Sequence, residues 1–153
     1  MSLEPSEILP WLYLGHMNSA KDFPTLERHN ITTIVNTCLE TCDPGSDFYG
    51  PERSYVPVDI AEKPAGNALV QIPMVFEAID AAKTSGSAAL VHCVASISRS
   101  PVFVIAYVMR EKGLSAVEAT KFVAERWDAT WPNDSFVGQL LVYENELEKQ
   151  GKR

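Results

Sequence analysis

The run His92-Cys93-Val94-Ala95-Ser96-Ile97-Ser98-Arg99-Ser100 sets a thiol and a guanidinium either side of five uncharged residues. That spacing suits a phosphoryl group. Where a loop leads into a helix, its successive N–H groups and those of the helix's first turn can converge on one point, at the positive end of the helix dipole. An anion held there would rest on Cys93, whose thiolate form both that field and the Arg99 guanidinium favour. Arg99 offers a planar fork that can hold two phosphoryl oxygens at once, which a lysine cannot do. The Ser100 hydroxyl can donate to the sulfur and improve it as a leaving group. The expected phosphate-binding set is therefore the loop of Val94, Ala95, Ser96, Ile97 and Ser98 with Arg99, and Cys93 is the nucleophile. His92 has a supporting place beside it, through packing or a structural hydrogen bond.

The flanking residues predict the elements such a loop needs. Ala88-Ala89-Leu90-Val91 is a short apolar run after the turn-like Thr84-Ser85-Gly86-Ser87, and reads as a buried strand. Pro101 through Met109 is apolar almost all round and halts at Glu111-Lys112-Gly113, which reads as a buried helix with Pro in its first turn and Gly past its end. The unit is a strand, a tight loop and a helix.

The stretch Val91-His92-Cys93-Val94-Ala95-Ser96-Ile97-Ser98-Arg99-Ser100-Pro101 resembles the signature of cysteine-dependent protein phosphatases, and its ending resembles their dual-specificity branch. Ile8 to Gly15 is similar to the opening strands of such domains, Ile31 to Asn36 to the next strand, and Tyr55 to Asp59 to the strand and loop that carry the general acid. Pro132-Asn133 and Phe136 to Glu144 resemble the closing helix. The likeness spans roughly residues 6 to 148 and implies a single catalytic domain of the small atypical type. It also implies the fold class: α/β, with a central, mostly parallel mixed sheet of about five strands flanked by helices. The implied activity is hydrolysis of phosphotyrosine and phosphoserine or phosphothreonine in proteins through a cysteinyl-phosphate, with no cofactor and no metal.

A thiolate and an arginine do not protonate a departing alkoxide, so an acid is needed. Asp59 ends an alternating strand ahead of the loop residues Lys63-Pro64-Ala65-Gly66-Asn67. An Asp there is a turn former as readily as an acid, and it is the resemblance that assigns it the proton transfer, with Glu62 the nearest competitor. Asp43, Asp47 and Asp80 read as solvated. Asn133 caps the last helix or, as the resemblance implies, braces the phosphate loop. One position departs from the family's pattern: Ser96 stands where the family has Gly, and a side chain kept in a left-handed backbone costs about 1 to 2 kcal/mol. The expectation is an enzyme that turns over, handicapped at Ser96.

Cys38 and Cys42 are spaced like half a metal site, but His16, His29 and His92 supply no second half. Cys38 follows the strand Ile31 to Asn36, which should lie near the strand leading to Cys93. It reads either as a buried strand-end thiol or as a redox partner that traps an oxidised Cys93 as a disulfide.

The chain of 153 residues, 46% of them hydrophobic, can build one sizeable core. Its net charge of −7 argues against nucleic acid, no apolar run approaches a membrane span, and Met1 to Pro5 is no signal peptide. Three cysteines and a reactive thiol point to a reducing compartment, the cytosol or also the nucleus. The expected partner is a phosphoprotein substrate and the expected state a monomer. Two alternatives stand beside the enzyme: a phosphate-binding module that has lost turnover, and a phosphatase of phosphoinositides, RNA 5′ ends or small phosphates, disfavoured because the five loop residues supply no extra cation.

Further elements follow from pattern. A short helix is expected over Lys21 to Asn30, a surface loop over Leu39 to Arg53, and a helix from about Ile72 to Lys83 with Pro73 in its first turn. Ser115 with Glu118 predicts a capping box, with Phe122, Val123 and Trp127 in the core of the helix it starts, and Phe136, Leu140, Tyr143 and Leu147 share one face of the last helix.

Overall fold

Alternation along one strand sets the layers. In β5 (Ala88–Cys93), Ala89 and Val91 face one side of the sheet and Ala88 and Leu90 the other. The structure is a computed structural model that describes residues 4–61, 66–94, 99–127 and 134–152. β5 lies at the centre of a five-stranded sheet in the order β1-β2-β5-β3-β4. β1 (Ser6–Leu9) pairs antiparallel with β2 (Leu12–His16), while β2, β5, β3 (Ile31–Asn36) and β4 (Ser54–Pro57) run parallel. The mixed, mostly parallel sheet matches the expected class. Its parallel strands all end toward the same edge, where ligands of such sheets bind.

The thick layer holds α3 (Ala68–Thr84), α4 (Arg99–Lys112), α5 (Ala116–Ala124) and α6 (Asp134–Lys149), packed on Leu12, Leu14, Val35, Ala89 and Val91. α4 is its axis, buried from Arg99 through Met109. Its end is set by Gly113 at φ 65°, with Leu114 N donating to Met109 O. The capping box forms as predicted, Ser115 Oγ accepting from Glu118 N while Glu118 Oε1 accepts from Ser115 N. Val123 and Trp127 are buried, and Phe136, Leu140, Tyr143 and Leu147 all face inward from α6. Phe122 instead stays partly exposed, covered by the Arg126 guanidinium 3.5 Å from its ring. The thin layer is Ala20, Leu26 of α1 (Phe23–Arg28) and Tyr49 against Tyr13, Ile31, Ile34 and Leu90.

The short helix expected over Lys21 to Asn30 is α1, capped by Asp22, which accepts from Thr25 N, and preceded by a 3-10 turn over Ser19–Lys21. Two local expectations are corrected. α3 begins at Ala68 rather than near Ile72, since Asn67 caps it and Ala68 is buried. Pro73 therefore lies inside the helix, on its exposed side, where it forgoes one hydrogen bond. The loop after β3 contains α2 (Ser46–Tyr49), bounded by Gly45 and Gly50 at positive φ and anchored by Tyr49, whose hydroxyl donates to Ala20 O at 2.7 Å. Asp80 stays on the partly exposed helix face, as expected, but is also paired: Tyr107 Oη and Arg110 Nη2 both donate to it, at 2.8 and 2.7 Å.

Candidate active site

β5 delivers Cys93 to the sheet edge and α4 delivers Arg99 and Ser100 as its first two residues. Cys93 and Ser100 are buried, and Ser100 Oγ donates to Cys93 Sγ at 3.2 Å. That hydroxyl can stabilise negative charge on sulfur, whether the thiolate waits for phosphate or leaves it. Arg99 is held at the same end with its side chain only 9% exposed. Val94 is exposed at the start of the loop. Ala95, Ser96, Ile97, Ser98, Asn133 and Glu62 lie outside the described residues.

His92 follows the strand's alternation to the thin layer, away from the face that Cys93 shares with Val91. Burial pushes its ring down to about 4, with the Cys93 backbone opposing the shift, and Nδ1 has no hydrogen-bond partner among the described residues. That burial disfavours a charged ring on His92. Its carbonyl does more, accepting from both the N–H and the hydroxyl of Thr37, each at 2.9 Å.

Those two bonds fix the start of the loop that follows β3, which sequence reasoning left without a role. Asn36 fastens the same loop: its Oδ1 accepts from Cys38 N at 2.8 Å, and its Nδ2 donates to Cys42 O at 2.6 Å and to Tyr55 Oη at 2.9 Å. Tyr55 Oη in turn donates to Asp43 at 2.6 Å. Thr41 N and Cys42 N both return to Cys38 O at 3.0 Å, closing a tight turn with Glu40 in it. The Glu40 carboxylate accepts from Arg99 Nη1. Burial raises the Glu40 pKa, but the Arg99 hydrogen bond and charge outweigh it and hold this carboxyl below its ordinary value.

Cys38 is buried at the root of that turn, and none of the three cysteines is in a disulfide. Its thiol is pushed up to about 12, first by burial and then by the neighbouring Cys93, with Arg99 opposing. The strand order thus brings Cys38 near Cys93, as expected.

Asp59 sits two residues past β4, exposed between buried Val58 and Ile60. Its backbone carbonyl accepts from Gln71 at 3.2 Å, while its carboxylate has no hydrogen bond or ion pair among the described residues. The far end of this loop is pinned. Gly66 N donates to Ala61 O at 2.7 Å, Gly66 O accepts from Gln139 at 2.8 Å, and a Cβ on Gly66 would meet Ile60 Cγ1 at 2.9 Å. Gln71 and Gln139 carry no motif, so sequence reasoning passed over them, and it read Gly66 only as a loop residue.

The family model for the dual specificity phosphatase catalytic domain matches residues 12–146. The chain belongs to that family. As a member it is 39% identical over 150 residues to human serine/threonine/tyrosine-interacting protein, covering 94% of this chain and 66% of that protein. It is 35% identical over 149 residues to human dual specificity protein phosphatase 16, covering 97% of this chain but 22% of that one. The chain therefore spans about a fifth to two thirds of the length of these relatives. Among solved structures, this dual specificity phosphatase domain superposes on human tyrosine phosphatase-like serine/threonine/tyrosine-interacting protein with a TM-score of 0.86, at 37% identity over 96% of this chain and 99% of that one. Human DUSP28 gives a TM-score of 0.86 at 29% identity, covering 97% of each chain.

Proposed function

We propose that this domain, with a core over residues 6 to 148, hydrolyses phosphotyrosine and phosphoserine or phosphothreonine monoesters in proteins. The observation that carries the reading is the Ser100 hydroxyl 3.2 Å from the Cys93 sulfur, at the start of the helix that also presents Arg99. Cys93 Sγ attacks phosphorus, the bond from phosphorus to the leaving oxygen breaks, and Asp59 gives that oxygen its proton. Arg99 and the backbone of residues 94–98 hold the phosphoryl oxygens through both steps. Water then attacks the phosphocysteine, Asp59 takes its proton, and the sulfur leaves with Ser100 donating to it. His92 packs behind this loop, and Asn133 braces it.

Product release from para-nitrophenyl phosphate, compared between the wild type and Cys93→Ser, tests the reading. An initial burst in the wild type and none in Cys93→Ser supports it; orthophosphate binding without turnover in the wild type overturns it. That second outcome would make the domain a phosphate-binding module, a reading favoured by its likeness to a relative named as an interacting protein. Ser96→Gly should raise turnover by up to about tenfold if the side chain strains the loop; equal rates would remove the handicap.

The compartment that suits this thiol chemistry is the cytosol or nucleus, and no helix among the described residues is long and apolar enough to cross a membrane. The domain acts as a monomer on a phosphoprotein. Cys38 is its redox partner: peroxide oxidises Cys93 to the sulfenic acid, the Cys38 thiol attacks that sulfur, and water leaves as the disulfide forms. Peptide mapping after mild peroxide should find the Cys38–Cys93 cross-link; a sulfinic or sulfonic Cys93 without it counts against this role.

A further inference from the structure

Gln139 uses both ends of its side-chain amide on one short stretch of backbone, 71 and 73 residues away in sequence: Oε1 accepts from Ala68 N at 2.6 Å and Nε2 donates to Gly66 O at 2.8 Å. We infer that Gln139, together with Gln71, is a positioning residue for Asp59, fixing the far end of its loop and the helix that follows. The inference rests on the proposed role of Asp59 as the proton donor.

The Asp59 carboxylate has no bond of its own among the described residues, so its reach is set by the backbone beneath it. On the near side that backbone is held by buried Val58, whose N–H donates to Asn36 O at 2.8 Å. On the far side two routes lead back to Gln139. Through the loop, Gly66 N donates to Ala61 O at 2.7 Å, so a fixed Gly66 holds the residue two places after Asp59. Through the helix, Ala68 opens α3, and Gln71 in the same first turn donates to the Asp59 carbonyl at 3.2 Å.

The first N–H groups of a helix have no partner within it. Asn67 takes that of Leu69 and Gln139 that of Ala68, so one end of the amide serves the helix and the other serves the loop. Only a group with both an acceptor and a donor can do both. The helix that carries Gln139, α6, packs on α4, whose first two residues are Arg99 and Ser100. The clasp therefore ties the acid to the frame that presents the phosphoryl ligands. Loosening it should misplace the proton donor and leave phosphate binding as it was.

Specificity constants on two leaving groups decide the matter. We expect Gln139→Leu to lower kcat/KM about 5- to 20-fold on phenyl phosphate and less than about 2-fold on para-nitrophenyl phosphate, whose leaving group needs less protonation, with orthophosphate affinity unchanged. In an Asp59→Asn background the same substitution should change neither rate by more than about 2-fold. A merely structural role would lower both rates and the orthophosphate affinity together, in either background. Equal losses on the two substrates, a loss that persists without Asp59, or no loss on phenyl phosphate would each overturn the inference. Gln139→Glu, as a carboxylate, keeps the acceptor for Ala68 N and gives up the donor to Gly66 O; it takes the place of Gln139→Leu should that variant not fold, with the same leaving-group bias expected. Gln71→Met removes only the donor to Asp59 O and should show that bias at about 2- to 3-fold. If Asp59→Asn alone shows no leaving-group bias, the acid role of Asp59 fails and takes the inference with it. If Asp59→Asn shows the bias and Gln139→Leu does not, the role of Gln139 alone fails.

Discussion

The loops that leave β3 and β4 each bring one carboxylate toward the same edge of the sheet, and the two are treated differently. Glu40 is bound to Arg99 on a turn fastened by Thr37 and Asn36. Asp59 is exposed, with its backbone pinned by Gln71 and its carboxylate unbound among the described residues. A group that transfers protons must change charge during each turnover, and a group that holds an arginine must not. Arg99 keeps Glu40 ionised, the state suited to holding and unsuited to donating. On the proposed roles, the paired carboxylate suits holding a charge and the unbound one suits moving a proton.

The division breaks most visibly at Asp59. Asp59→Asn should lower kcat about 10²- to 10³-fold on phenyl phosphate, with a smaller loss on para-nitrophenyl phosphate, whose leaving group needs less protonation. Equal losses on both substrates would take the acid role from Asp59. Ser100→Ala should slow breakdown of the phosphocysteine about tenfold, seen as a larger burst followed by a slower steady state. Gly66→Ala sharpens the role of the pinned loop: its new Cβ must push Ile60 or the Ala61 backbone aside, and a few-fold fall in kcat without a change in orthophosphate affinity would locate the damage at Asp59. The smallest effect concerns the platform under Glu40. His92 is neutral in the fold because burial pushes it down from 6.5 to about 4, so the unfolded chain takes up the proton first. Its contribution to stability is complete above about pH 6.5 and is lost as pH falls toward about 4. Urea midpoints over that interval should fall less steeply in His92→Gln than in the wild type.

The same contrast shows what could be read from the sequence. Cys93, Arg99 and Ser100 were legible because one strand, one loop and one helix hold them within eight residues, where local pattern is informative. Asp59 was legible as a strand end, and the Ser115 box because capping is local. Glu40 was not, since its contact depends on β3 lying next to β5, and nothing about a glutamate in a loop with Pro44 and Gly45 signals an arginine 59 residues away. Pro73 misled for a related reason: Pro commonly marks a first turn, but Asn67 starts the helix earlier and its buried face holds it together. The partners of Asp80 were not legible either, since only the packing of α3 against α4 brings Tyr107 and Arg110 to it.

The central claim is that Cys93 carries the phosphoryl group in transit, and it can be seen on the residue itself. Acid quenching during turnover of a phosphotyrosine peptide, followed by mass spectrometry, should find one phosphoryl group on the peptide containing Cys93. Asp59→Asn should still transfer phosphoryl from an activated aryl phosphate and accumulate more of this species, because Asp59 also serves its hydrolysis. Product formed by the wild type with Cys93 unmodified at every quench time, and undiminished in Cys93→Ser, would contradict the account.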